Sequence, residues 1–290
     1  MTVTILDGGM GQELRRRSQK SVTPLWSAQV MLDEPELVVD VHRDFINAGA
    51  RVITVNTYAA TPPRLARDGA PAWFDRLHSA ALDAAHQARD ESGRDDVQIA
   101  GCLPPLVASY HADVVPDAQS CLRDYQRIVA AQANRVDLFL GETLTLAREA
   151  CAATQAAKHS GLPVWMALSV ADDAGDRLRS GEWLAKAANQ IKSAGADALL
   201  VNCSAPEAIS ISMPILAATG LPFGGYGNGF VAAAHLKPGG TVDSLAAREE
   251  LTPQAYAAFC AQWIASGAEI IGGCCEIGPA HIAAIKQNFG

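Results

Sequence analysis

A (β/α)8 barrel is the fold that three features of this sequence predict. Eight short β-rich runs alternate with eight amphipathic stretches. Several of those stretches end in a Gly-Ala turn just before the next run, and the long connections follow runs of the β type. The predicted strands cover residues 3–9, 51–57, 97–103, 136–143, 164–170, 198–204, 223–228 and 269–275. Each is a short run of the β type. The predicted helices cover 34–48, 71–92, 118–134, 144–160, 181–194, 206–218, 252–266 and 279–288. At 48–50, 194–196 and 266–268 an Ala-Gly-Ala or Ser-Gly-Ala turn places a glycine where a helix needs a left-handed closing residue.

Connections at 10–33, 58–70, 104–117 and 229–250 all follow predicted strands, which makes them βα loops gathered at the C-terminal face of a TIM barrel. An open doubly wound sheet is the competing arrangement. With no linker, internal boundary or low-complexity tract in view, residues 1–290 are expected to form one barrel domain.

Composition narrows the function. With 49% hydrophobic and 19% charged residues the chain reads as globular rather than disordered. A formal net charge of −8 disfavours nucleic acid and anionic membranes, leaving small molecules as the expected partners. The chain enters its first strand directly, with no leader-like segment and no apolar run of membrane-spanning length. Seven cysteines, an odd number, point away from a disulfide framework and toward thiol or metal chemistry in a reducing cytoplasm.

In a barrel the strand ends converge, and here they carry Asp7, Asn56-Thr57, Cys102, Glu142-Thr143, Ser169, Asn202-Cys203, Asn228 and Cys274-Cys275. Cys203, Cys274 and Cys275 stand at the ends of the sixth and eighth strands, on neighbouring sides of one pocket. Cys102 lies further round, while Cys121, Cys151 and Cys260 read as small apolar residues of helices. The adjacent Cys274-Cys275 pair is poorly suited to a disulfide. Three thiolates suit zinc, which accepts a tetrahedral thiolate set and keeps a fourth position for substrate. Gly272 and Gly273 are expected to let the backbone turn so that two consecutive side chains reach one ion. Such a centre carries net negative charge, so it is a weak Lewis acid but a good holder of a nucleophilic thiolate. Its natural electrophile is a cation.

The motifs Asp7-Gly8-Gly9-Met10-Gly11, Val201-Asn202-Cys203 and Gly272-Gly273-Cys274-Cys275 resemble those of the homocysteine S-methyltransferase family. Leu25-Trp26-Ser27-Ala28, the run 35–50, Asn56-Thr57-Tyr58 and Gly141-Glu142-Thr143 agree with it, so the likeness spans nearly the whole chain. The resemblance implies a zinc barrel with Cys203, Cys274 and Cys275 as ligands and homocysteine as methyl acceptor. It further implies that Asp7 and Glu142 hold the substrate ammonium and that backbone N–H groups near Gly8 and Met10 meet its carboxylate. Trp26 and Tyr58 match family positions at the substrate end, and with Tyr110 they are the aromatic residues placed to face a cationic donor.

The sequence departs from the family at 101–106 and 226–230, both on the donor side, so the acceptor is better specified than the donor. The expected donor is the sulfonium of S-methylmethionine or S-adenosylmethionine, with betaine or a small dimethylsulfonium compound as the alternative. Two other readings remain. A metal-independent barrel lyase or aldolase would use Glu142 as base and leave the cysteines incidental. A module serving a corrinoid-bearing partner would need a cobalamin-binding segment, to which nothing in the chain is similar.

Overall fold

The computed structural model describes residues 3–20, 25, 27–231 and 245–289. Eight parallel strands are present among them: β1 (Thr4–Ile5), β2 (Val52–Thr54), β3 (Gln98–Leu103), β4 (Leu138–Leu144), β5 (Val164–Leu168), β6 (Ala198–Asn202), β7 (Phe223–Gly227) and β8 (Ile270–Gly273). Sequence neighbours pair from β2 to β8, and β8 pairs with β1 with Thr4 opposite Ile270 and Ile5 opposite Ile271. The ring closes between β1 and β2 through a parallel bridge of Leu6 with Val52. Backbone hydrogen bonds from Arg51 N–H to the Ile5 carbonyl (2.7 Å) and from Asp7 N–H to the Val52 carbonyl (3.0 Å) complete it. The architecture is the closed (β/α)8 barrel that the alternation predicts.

Eleven α-helices lie between and after the strands, again among the described residues. After β1 come α1 (Met10–Arg17), α2 (Ser27–Asp33) and α3 (Pro35–Ala48); after β2 come α4 (Pro62–Arg67) and α5 (Phe74–Ser92). One helix follows each later strand: α6 (Ala118–Gln132), α7 (Ala147–Lys158), α8 (Leu184–Ala194), α9 (Pro206–Ala217), α10 (Pro253–Ala265) and α11 (Pro279–Phe289). Short helices α1, α2 and α4 occupy stretches expected to be plain connections. At six to eight residues they span about two turns, too few for a 3.6-residue period to stand out in the sequence. The glycines at 49, 195 and 267 close α3, α8 and α10 at φ of 118°, 109° and 97°, the left-handed conformation their turns predict.

Strand periodicity places the site. Inside the ring a small core holds Leu6, Val52, Leu138, Leu140, Leu200 and Ile270, while a larger core fills the space between sheet and helices. Side chains alternate across a strand, so the residue two beyond an interior position is interior again. Thr54 follows Val52, Glu142 follows Leu140, Asn202 follows Leu200, and Cys274 stands four beyond Ile270. The apolar core thus gives way to polar groups at one end of the ring, where strands lead into βα loops.

Tyr256, on α10 and fully buried, fastens that end. Its hydroxyl accepts from the Gly227 N–H and donates to the Gly272 carbonyl, both at 2.7 Å, tying the last residues of β7 and β8 together. Removing the hydroxyl strands two buried backbone groups at once. Tyr256→Phe is therefore expected to lower unfolding free energy by about 2–4 kcal/mol, read as a fall in the urea midpoint at unchanged slope.

Candidate active site

Two strand ends carry the sulfur atoms. The Sγ atoms of Cys203, Cys274 and Cys275 lie within 4.8 Å of one another, with 4.0 Å between Cys203 and Cys275. A tetrahedral ion with bonds of about 2.3 Å needs sulfurs about 3.8 Å apart, so this donor set fits a thiolate-seeking divalent metal such as zinc without rearranging the backbone. Cys203 adopts φ of 48°, a conformation L-residues rarely hold. Its carbonyl accepts hydrogen bonds from Ser169 Oγ (3.2 Å) and Arg179 (3.3 Å), and its N–H donates to the Tyr226 carbonyl (3.1 Å). The Cys203 thiol is held well below its ordinary range by hydrogen bonds from Cys274 and Cys275, against the cost of burial. Both partners are pushed up in turn by sharing the site with that sulfur.

Gly272 and Gly273 are needed there for a reason other than the one expected. Neither has positive φ; the left-handed residue is Glu276, at 65°. A Cβ at Gly272 would lie 2.6 Å from Leu6 Cβ, and one at Gly273 would lie 2.2 Å from Ile277 Cγ2. These glycines permit close packing against the β1 end, while the chain turns beyond the cysteines.

Across the cavity stand two carboxylates. Asp7, 6% exposed, accepts from the Thr54 N–H at 2.8 Å and from the Thr54 hydroxyl at 3.5 Å. Glu142 accepts from the Cys102 thiol at 3.1 Å and, over a long 3.5 Å contact, from the Tyr226 hydroxyl. Burial raises the Asp7 carboxyl to about 8 although the Thr54 N–H opposes it, and Glu142 pushes in the same direction. Burial likewise raises Glu142 to about 7. Cys102 is outside the metal-sized cluster, as the strand order implies, but its thiol steadies Glu142 from the neighbouring strand.

A second polar clasp joins the motifs of β4 and β6. Asn202 Oδ1 accepts from the Thr143 N–H (2.7 Å), and Asn202 Nδ2 donates to Thr143 Oγ1 (3.0 Å). Thr143, at φ of 62°, is held in the left-handed region by this pair. The result aims Glu142 and Cys203 into one space.

The wall beneath Asp7 is the start of α1, and Gly8 to Gln12 line the cavity. A Cβ on Gly8 would sit 2.2 Å from the Ile277 carbonyl oxygen, so only glycine fits. No side chain caps α1 at Gly9, and the residues of its first turn line the cavity. The Met10 N–H is itself engaged, donating to the Gly8 carbonyl at 2.9 Å. Sequence reasoning passed over Gln12, which is 2% exposed with both amide atoms lacking a conventional partner, beside the Cys275 sulfur. A glutamine in a short helix carries no periodic signal that would mark it.

Of the aromatic residues singled out, Trp26 lies outside the described residues. Tyr58 reaches the cavity with its hydroxyl 2.8 Å from Ser109 Oγ, and Arg64 covers its ring at 5.1 Å. Tyr110 also lines the cavity, with Arg179 over its ring at 4.7 Å. One face of each ring is therefore occupied by an arginine of the chain itself.

The C-terminal face of the barrel thus brings together three thiols that could hold a metal ion and two desolvated carboxylates. The family model of homocysteine S-methyltransferase matches residues 4–289, and the chain belongs to that family. It is 27% identical over 314 residues to homocysteine S-methyltransferase 1 of Zea mays, covering 98% of this chain and 93% of that one. A selenocysteine methyltransferase of Astragalus bisulcatus is 25% identical over 324 residues, covering 98% and 91%. The metallated form of the Escherichia coli homocysteine methyltransferase MmuM superposes with a TM-score of 0.83 at 26% identity, covering 99% and 96%. The chain is therefore an enzyme of this family.

The carboxylates make the pH dependence of stability unusual. Because Asp7 and Glu142 have folded pKa values above their unfolded ones, the folded state binds more protons between pH 4 and 8. Their contribution is fully present at low pH and is lost as pH rises through about 7 and about 8. Asp7→Asn, which keeps an acceptor for Thr54, is expected to flatten the fall in stability of the substrate-free protein between pH 5 and 8 by a few kcal/mol, at about 1.4 kcal/mol per pKa unit. Urea unfolding of parent and variant across that range reads the difference.

Proposed function

We propose that this enzyme transfers a methyl group from a cationic donor to the thiol of L-homocysteine, giving methionine, with zinc held by Cys203, Cys274 and Cys275. The observation that carries the reading is the placement of three sulfurs within 4.8 Å opposite the carboxylates of Asp7 and Glu142. A thiol-bearing amino acid has complementary groups at both ends. Zinc, when bound, supplies the Lewis acidity that holds the incoming thiol as a thiolate at neutral pH. Asp7 and Glu142 bind the ammonium, whose charge relieves their mutual repulsion and restores both to the ionised form. The N-terminus of α1, around Gly8 and Met10 and with the Gln12 amide nearby, receives the carboxylate.

Names of the relatives support homocysteine as acceptor, and the metallated E. coli structure supports a metal. The choice of zinc rests on the all-thiolate donor set. A cationic donor follows from charge: the site is anionic, and a sulfonium or ammonium departs as a neutral sulfide or amine. We favour S-methylmethionine or S-adenosylmethionine, with Tyr58 beside the methyl group, and treat betaine as the competing donor. A site built on three reduced thiols supports a reading in which the enzyme works in a reducing compartment such as the cytoplasm. No helix among the described residues is long and apolar enough to cross a membrane. The whole chain, 1–290, is read as one homocysteine-binding barrel with small-molecule partners alone.

Two measurements test this. Purified protein is expected to carry one equivalent of zinc and to form methionine from homocysteine and a sulfonium. Cys274→Ala should lose both metal and turnover, and a variant retaining full zinc and activity would overturn the ligand set. Superior activity with betaine would reverse the donor preference; no methionine from any cationic donor would refute the reaction. Glu142→Ala is expected to keep its zinc and weaken homocysteine binding by about 2–4 kcal/mol by calorimetry. Unchanged affinity would remove Glu142 from the ammonium site.

A further inference from the structure

Tyr110 reaches the sulfur cluster from the connection between β3 and α6, remote in sequence from both cysteine motifs. Its hydroxyl lies 2.8 Å from Cys203 Sγ. A thiolate can only accept, and a phenol is ordinarily the weaker acid of the two, so the phenol O–H is the donor.

The approach is not that of a mobile surface tyrosine. Tyr110 has φ of 68° and Cys203 φ of 48°, so both partners hold the left-handed conformation that residues with a Cβ avoid. One arginine holds them both. Arg179, with a side chain 7% exposed, is paired with Asp172 at 2.9 Å. It donates to Ser169 Oγ (2.8 Å) and to the Cys203 carbonyl (3.3 Å), and its guanidinium lies over the Tyr110 ring. Ser109, one residue earlier, is fixed by its contact with the Tyr58 hydroxyl. Backbone strain maintained by such a set of contacts marks a position that the surrounding structure over-determines.

We infer that Tyr110 is a positioning residue of the metal centre, donating a hydrogen bond to the Cys203 thiolate while Arg179 aligns both. This rests on the metal reading given above. The bond orients one lone pair of Cys203, leaving another for the ion, and withdraws electron density from that sulfur. The centre thereby gains a partner from the connection between β3 and α6, outside both cysteine motifs.

The test is Tyr110→Phe, which keeps the ring under Arg179 and removes the hydroxyl. Cobalt(II) is loaded in place of zinc, and zinc affinity is measured separately by competition with a chromophoric chelator. The sulfur-to-cobalt charge-transfer band is expected to move to lower energy in the variant, because a thiolate that loses a hydrogen bond gives up charge more readily. Zinc affinity is expected to fall about ten-fold, within the range for loss of an outer-sphere partner. Tyr226→Phe removes from the same cavity a hydroxyl that bonds Glu142 and no sulfur, and should leave the band in place. The band reports the metal-bound fraction only, so partial loss of fold does not conceal the result. An unmoved band with unchanged affinity in Tyr110→Phe would overturn the inference and leave the metal centre standing. A parent protein that takes up neither cobalt nor zinc would overturn both.

Discussion

Acidic groups of one sign crowd a cavity from which water is largely excluded, and most of the surrounding structure answers to that constraint. In a medium of low effective dielectric, neighbouring anions repel strongly and their neutral forms are favoured. Each acid therefore has its own donor: Thr54 serves Asp7, Cys102 and Tyr226 serve Glu142, and Tyr110 serves Cys203. Arg179 is a fixed cation whose charge acts on the Cys203 sulfur, and it is shared with Asp172. Such an array is poised for positive charge from outside, a metal ion on one side and an ammonium on the other. The same arrangement accounts for a fold that is less stable when those charges are bare.

Holding the array requires backbone conformations that the chain would not choose locally. Among the described residues the non-glycine positions with positive φ are Tyr110, Thr143, Cys203 and Glu276, and every one lines the cavity or directly follows the cysteine pair. They come from four different strand ends. The closed ring makes this sustainable, because eight strands paired on both sides supply a frame that one strained loop cannot distort. Tyr256 and the Asn202–Thr143 clasp carry that rigidity to the ends of β4, β6, β7 and β8, close to the functional side chains.

Much of this was legible in the amino-acid order. Eight short β-type runs alternating with amphipathic helices, three of them closed by glycine, define the barrel, since a strand and an amphipathic helix leave different periodic marks. Asp7, Glu142, Cys203, Cys274 and Cys275 are visible because each ends an apolar run with a reactive group. Less visible are α1, α2 and α4, too short to show a period. Gly272 and Gly273 were legible as glycines but not in their role, which is to let Leu6 and Ile277 approach.

Local pattern thus determined which residues form strands, which face of each strand looks inward, and which chemical groups arrive at the open end. Those properties depend on a residue and its near neighbours in the chain. Tertiary structure alone decided that Cys102 would steady Glu142, that Gln12 would lie unpartnered beside Cys275, and that Tyr110 rather than another aromatic would reach Cys203. Each of these contacts joins segments with no sequence signal in common, and its distance is set by the radius and stagger of the closed ring. No single segment encodes those quantities, because they exist only when all eight strands are paired.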